Sequence, residues 1–197
     1  MMSRVKEFNQ DDVLTKAMNL FWEQGYTNTS MQELVDVMQI NRGSIYATFG
    51  DKHSLFLRVL EYYHQYLEEQ FIDVVTDSKD LRTKLNEVFS FFLKTHDEQQ
   101  PKGCLIVNSA TELAQVDPDV NAIINDYMQQ ETNLILKILK KATYELMPSI
   151  SLETLANRLQ LALIGIRVSI KLDTKSEILT KIVEDIIDTL PWKTIED

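Results

Sequence analysis

Between Ser30 and Lys52 the chain leaves itself little freedom. Ser30 followed by Glu33 is a capping box, in which hydroxyl and carboxylate each satisfy an amide that a helix start leaves unpaired; the pair predicts a helix from Met31. Met31, Leu34, Val35 and Met38 then fall on one helical face. After Gln39-Ile40, Asn41 supplies a second N-cap, and its helix has room for about two turns before Phe49-Gly50. Two short helices joined by a tight turn follow from capping chemistry alone.

A helix-turn-helix of this size lays its second helix in the DNA major groove, with the N-terminal residues at the base edges. Here that helix opens with Arg42-Gly43-Ser44. Arginine can bond both acceptors of a guanine edge, glycine lets the backbone come close, and serine serves either base type. Tyr46 on the same helix and Lys52 just beyond it are placed to reach phosphates.

Gly25-Tyr26, Thr29-Ser30-Met31, Leu34, Ile40, Gly43-Ser44-Ile45-Tyr46, Phe49, Lys52 and Leu55 together resemble the DNA-binding signature of the tetracycline-repressor (TetR) family of bacterial regulators. The resemblance covers roughly residues 10–58 and implies an all-α homodimer. In it, residues 1–50 would form a three-helix helix-turn-helix DNA-binding domain, and residues 51–197 a helical domain that binds a small-molecule inducer and dimerises. It adds Thr29 to Tyr46 and Lys52 as phosphate contacts, with Arg42, Gly43 and Ser44 reading bases of a palindromic operator. Gln39 departs from the pattern, standing where the family generally has glycine; a left-handed conformation there would cost a non-glycine residue about 1–2 kcal/mol.

The net charge of −10 looks unfavourable for a DNA-binding chain, but its distribution is uneven. Residues 1–60 carry six Lys/Arg against seven acids, so nearly all the excess lies further on. Attraction to DNA must come from a few placed cations, with a modest salt dependence. Arg4 and Lys6 would sit on an N-terminal arm. No apolar run approaches the ~18 residues that cross a bilayer, and a cytoplasmic location is expected.

On both sides of the stretch from Ser30 to Lys52 the pattern is helical. Asn9 or Asp11 can cap a first helix with Val13, Ala17, Leu20 and Phe21 on its apolar side, ending at Gly25 as a left-handed terminator. A long helix from Asp51 to about Val75 would connect the two domains as a lever. Leu81 to about Thr95 is a helix with Phe89, Phe91 and Phe92, followed by a charged loop from His96 to Lys102. Asp117-Pro118 opens a helix to about Leu146, ended by Met147-Pro148. Ser151 begins another, and Thr174 with Glu177 is a further capping box for the last, which stops before Pro191. Leu155, Leu159, Leu163, Ile166 and Ile170 on one, and Ile178, Ile182, Ile186 and Leu190 on the other, would suit a four-helix dimer interface or an intramolecular core.

Tyr62, Tyr66, Phe89, Phe92, Cys104, Asn108, Tyr127 and Met128 have the mixed chemistry of an inducer cavity, though the same residues would make an ordinary core. Cys104 is the single cysteine, which excludes an intrachain disulfide and a cysteine-built metal site. It supports an alternative function as a thiol-based redox or electrophile sensor, since it stands near a helix start beside Lys102. Glu61 and His64 have Glu-x-x-His spacing, but a di-iron bundle needs that motif twice, so no metal or cofactor is expected. No nucleophile elbow or phosphate-cradling loop points to an enzyme.

Overall fold

A computed structural model describes residues 8–76, 79–94, 101–147 and 151–193. Arg4 and Lys6, most of the charged loop before Pro101, and Pro148 lie outside them. Among the described residues are nine α-helices: α1 Gln10–Gln24, α2 Met31–Met38, α3 Arg42–Phe49, α4 Lys52–Thr76, α5 Leu81–Lys94, α6 Leu105–Leu113, α7 Pro118–Lys141, α8 Leu152–Lys171 and α9 Ser176–Asp188.

The helix starts follow the caps. Asn9, rather than Asp11, caps α1, its Oδ1 accepting from the amides of Asp11 (2.9 Å) and Asp12 (3.3 Å). At α2 the Glu33 amide donates to Ser30 Oγ (3.2 Å) and the Ser30 amide to Glu33 Oε2 (2.7 Å). Asn41 Oδ1 accepts from the Ser44 amide at 2.8 Å, and Asp117 and Ser151 cap α7 and α8.

Three boundaries differ from expectation. Gly25 has φ 83° and ψ 170°, a glycine-only extended conformation and not the left-handed helical one. α7 stops at Lys141, five residues early; a 3₁₀ turn, Thr143–Glu145, takes over, and Leu146 pairs in an isolated antiparallel bridge with Trp192. The Thr174–Glu177 capping box does not form: the Thr174 amide closes α8 on the Ser169 carbonyl (3.0 Å) while Asp173 turns left-handed, so α9 begins only at Ser176.

α1, α2, α3 and the start of α4 share one core built on Phe21, Leu34, Met38, Ile45, Leu55 and Phe56. Phe21 meets Phe56 edge-on at 5.0 Å, and Trp22 meets Tyr63 the same way. α4 continues into a second group of helices, where Leu67 and Phe71 join Leu81, Leu85, Leu105, Ile135 and Leu163. α7 lies along α8, and α5 along α9.

Candidate nucleic-acid interface and ligand cavity

The turn between α2 and α3 is sharp because Gln39 adopts the left-handed conformation, φ 57° and ψ 30°, while its amide donates to the Val35 carbonyl (3.1 Å). The turn costs what its sequence implies, about 1–2 kcal/mol, and sets the α2–α3 crossing. Ile45 and Phe49 bury the inner side of α3, leaving Arg42, Gly43, Tyr46, Ala47 and Thr48 exposed and Ser44 half-buried. The Arg42 guanidinium lies 5.8 Å from the Tyr46 ring centroid, with Nη2 3.5 Å from the hydroxyl, so cation and phenol occupy one outward patch.

Two of the expected phosphate contacts sit elsewhere. Thr29 is 1% exposed; its Oγ1 donates to the Gly25 carbonyl (2.6 Å) and accepts from Gln24 Nε2 (3.3 Å), so its hydroxyl holds the α1–α2 loop in this structure. The Lys52 ammonium donates to the Thr29 carbonyl (2.5 Å) and stands 4.3 Å from the Tyr26 ring centroid. Burial there, only partly offset by Glu112 and Glu33, lowers the pKa of Lys52.

The same loop is gripped from α6. Glu112 accepts the Tyr26 amide on Oε2 (3.0 Å) and the Thr27 amide on Oε1 (2.7 Å). A Cβ on Gly25 would lie 2.7 Å from that carboxylate, so any side chain there would both strain the backbone, at φ 83°, and push the Glu112 carboxylate aside. Nearby, His53 Nε2 is 2.8 Å from Asp117 Oδ2. Asp119 brings a third potential ligand atom within 4.8 Å, but Asp117 Oδ1 already accepts two amides at the positive end of α7, a poor setting for a cation.

Between α4, α6, α7 and α8 lies a cavity of about 740 Å³. Leu67, Phe71, Ile106, Leu134, Ile135 and Leu163 make its walls, and Glu68, Glu69, Gln130 and Lys137 stand exposed at its rim. His64 and Tyr127, both in its lining, stack on each other, 3.8 Å apart and 6° from parallel. Burial lowers the His64 pKa, against the opposing pull of Glu68, Asp126 and Glu131, and raises that of Tyr127 to about 12.

Of the residues expected here, Cys104, Tyr127 and Met128 line the cavity. Tyr62, Tyr66, Phe89, Phe92 and Asn108 do not, because helix phase turns them away. Tyr62 Oη meets Thr15 Oγ1 (3.0 Å) at the α1–α4 seam, Tyr66 lies against Tyr63, Phe89 is core, and Asn108 donates to the Lys102 carbonyl (3.4 Å). Phe92 lies beneath a guanidinium that sequence reasoning missed, Arg167, at 3.9 Å. Arg167 is 2% exposed and paired through both terminal nitrogens with Glu131. The available signal was an arginine within the aliphatic run Leu163, Ile166, Ile170. Cys104 flanks the start of α6, fully buried, with the Tyr63 hydroxyl against it; burial and the thiol push the Tyr63 pKa well up.

On the outer surface, Leu161 and Val168 of α8, Leu172 at its C-cap and Ile178 and Ile182 of α9 are exposed. Gly165 lies on the same stripe, and a Cβ there would meet no atom within 4 Å. Leu155, Leu159, Leu163, Ile166 and Ile170 face inward instead and belong to the intramolecular core, as does Leu190. α8 is apolar on two sides, and only the inner one was legible as a regular repeat.

Comparison with known proteins agrees with this arrangement. Residues 13–59 match the family profile described as bacterial regulatory proteins, tetR family. The HTH-type transcriptional repressor ComR of Escherichia coli K12 is 29% identical over 173 residues, covering 84% of this chain and 81% of the relative. An uncharacterized HTH-type transcriptional regulator of Bacillus subtilis 168, YezE, is 32% identical over 120 residues, covering 60% of this chain and 62% of that protein. Among solved structures, a cysteine mutant of the regulator CifR complexed with 26-bp operator DNA superposes with TM-score 0.87 at 25% identity, covering 96% of this chain and all of that one.

Proposed function

The chain belongs to the TetR family of bacterial transcriptional regulators, a non-enzymatic class, and from that premise we propose that it is a repressor that binds a palindromic operator as a homodimer and is released by a small molecule. The observation that carries this is the outward patch of α3, where Arg42, Gly43 and Tyr46 are exposed on a helix whose opposite side is anchored by Ile45 and Phe49. Arg42, Gly43 and Ser44 read base edges, and Tyr46 holds a phosphate. Lys52 would have to leave the Thr29 carbonyl to do the same. Residues 1–50 serve as the DNA-binding domain and residues 51–197 as the effector-binding and dimerisation domain.

The apolar stripe on α8 and α9 supports dimerisation through these two helices: Gly165 lets a second copy approach closely, and its flanking aliphatics need cover. Dimerisation must set two α3 helices about 34–36 Å apart to meet successive major grooves. α6 supplies a route for release, because it begins at the cavity with Cys104 and ends at Glu112 on the α1–α2 loop. A ligand that fits the cavity better when α6 is displaced would favour the state with the wrong spacing. No described helix is long and apolar enough to cross a membrane.

The test is a gel-shift series on an operator selected from a random DNA pool. Arg42→Ala is expected to lose about 1–3 kcal/mol of affinity and relax preference at one base pair. Unchanged affinity would overturn the assignment of Arg42.

A second reading is favoured by one observation: Cys104 lines the cavity at the start of α6, so a thiol adduct would displace the same helix. Cys104→Ser separates the two, since a non-covalent switch keeps its ligand response and a thiol switch loses it.

A further inference from the structure

The charged groups around the cavity are unevenly placed, and their order along two helices decides which charge it favours. α4 and α7 run side by side: His53 Nε2 meets Asp117 Oδ2 at 2.8 Å near their starts, and His64 stacks on Tyr127 about three turns on. Around that stack carboxylates predominate. Glu68 Oε2 lies 3.9 Å from His64 Nδ1, and the charges of Glu61, Asp126 and Glu68 all act on the Tyr127 hydroxyl. Lys137, the exposed basic residue of the described lining, stands about 15 Å further along the α7 axis, beyond a Debye length at physiological salt.

Most of these carboxylates are already answered within the fold. Glu131 is paired with Arg167, Glu61 with Arg58 (2.8 Å), and Asp126 accepts from Gln130 Nε2 (2.7 Å). Glu68 stands apart from them. Its side chain is 62% exposed at the cavity mouth, and its ion-pair partner among the described residues is His64, whose pKa burial lowers towards the uncharged ring. Glu69 follows it on the rim. Beneath the mouth the walls are aliphatic and aromatic, Leu67, Phe71, Ile135 and Leu163 among them. Nine of the ten net negative charges of the chain lie beyond residue 60, so the field of this half draws cations towards the mouth and repels anions.

We infer that the cavity takes an apolar monocation, an ammonium group on a hydrocarbon or aryl body, with its charge against Glu68 at the His64–Tyr127 end and its body between α4, α7 and α8. An ammonium there meets a carboxylate and an aromatic pair together, a combination that compensates for the water it gives up. An uncharged apolar molecule would fill the same walls but leave Glu68 unanswered. Glu68 is thus the specificity-determining residue. The inference deepens the ligand-release reading, on which its regulatory meaning rests, although binding itself does not.

The experiment uses the full chain without DNA and three probes that share a phenylalkyl body: 4-phenylbutyl-trimethylammonium, 4-phenylbutanol and 4-phenylbutanoate, with binding followed by calorimetry. The cation is expected to bind once per chain and at least tenfold more tightly than either of the others, and its N-methyl protons to show a nuclear Overhauser effect to the Tyr127 ring. Glu68→Gln, at an exposed position that the core does not use, should weaken the cation at least fivefold and leave the alcohol unchanged. Preference for the alcohol or the carboxylate, equal binding of all three, a cation indifferent to Glu68→Gln, no contact with the Tyr127 ring, or no binding at millimolar concentration would overturn the inference. Operator release is measured separately: a cation that binds as expected without altering the operator complex counts against ligand release only, whereas a carboxylate that binds best and releases DNA counts against this inference only.

Discussion

Side chains bonded to backbone tie the loops and caps around the reading surface, whereas at the cavity wall the polar side chains of Arg167, Glu131, His64 and Tyr127 meet one another. In the first region Asn9, Ser30 and Asn41 cap helices, Glu112 grips the Tyr26 and Thr27 amides, and Lys52 and Thr29 hold loop carbonyls. In the second, Arg167 pairs with Glu131 and lies over Phe92, while His64 stacks on Tyr127. Bonds to backbone define a loop path without using the outward residues of α3, so Arg42, Gly43 and Tyr46 are free of structural duty. Interlocked side chains give the cavity the opposite character: a change at one group is felt by its partner.

The contrast is tested most severely at Glu131. Glu131→Ala leaves the buried Arg167 uncompensated and should cost about 3–5 kcal/mol in denaturant unfolding, while Glu131→Ala with Arg167→Met together recover much of it. A single-variant loss under about 1 kcal/mol would mean that the cavity does not depend on this pair.

At the reading end, Gly25→Ala imposes a glycine-only backbone conformation on alanine and drives Glu112 off the loop. It should lose about 1–3 kcal/mol of stability and weaken operator binding with α3 unaltered. Normal operator affinity in a folded Gly25→Ala protein would show that the Glu112 grip is dispensable.

Gln39→Gly goes the other way. It relieves the left-handed turn and should stabilise the protein by about 1 kcal/mol, less the extra flexibility glycine brings to the unfolded chain. A destabilised variant would mean that the Gln39 side chain does more than occupy the turn.

The smallest effect concerns the junction of the two regions. Burial acts most strongly on Asp117 and raises its pKa, but the Val120 amide and His53 together bring it below the ordinary carboxylate value. A carboxyl depressed on folding stabilises above its unfolded pKa and loses that contribution as pH falls through the folded one. Asp117→Asn should therefore flatten the acid limb of the stability profile slightly, with no change at neutral pH in its slope. An unchanged acid limb would remove Asp117 from the junction.

Much of the reading surface was legible because capping is local. Ser30 with Glu33, Asn41 with Ser44 and the apolar spacing of α2 lie within a few residues of one another, so the elements and their outward patch could be derived from the chain. Gln39 was legible as a strained turn for the same reason. The cavity was not, because aromatic residues are equally at home in a core; Phe89 went there, and Tyr62 went to the α1 seam. Its distinguishing groups, Glu131 and Arg167, lie 36 residues apart and carry no local signature.

The amino-acid sequence by itself determined an all-helical chain with a capped helix-turn-helix led by Arg42, Gly43 and Ser44, since hydrogen bonding at helix ends and apolar periodicity act over a turn or two. Tertiary structure alone decided that Thr29 and Lys52 turn inward, that the inner stripe of α8 is core while Leu161, Gly165, Val168 and Leu172 face out, and that Arg167 meets Glu131. Those outcomes depend on the phase and crossing of helices distant in the chain, where a rotation of one residue exchanges a buried side chain for an exposed one.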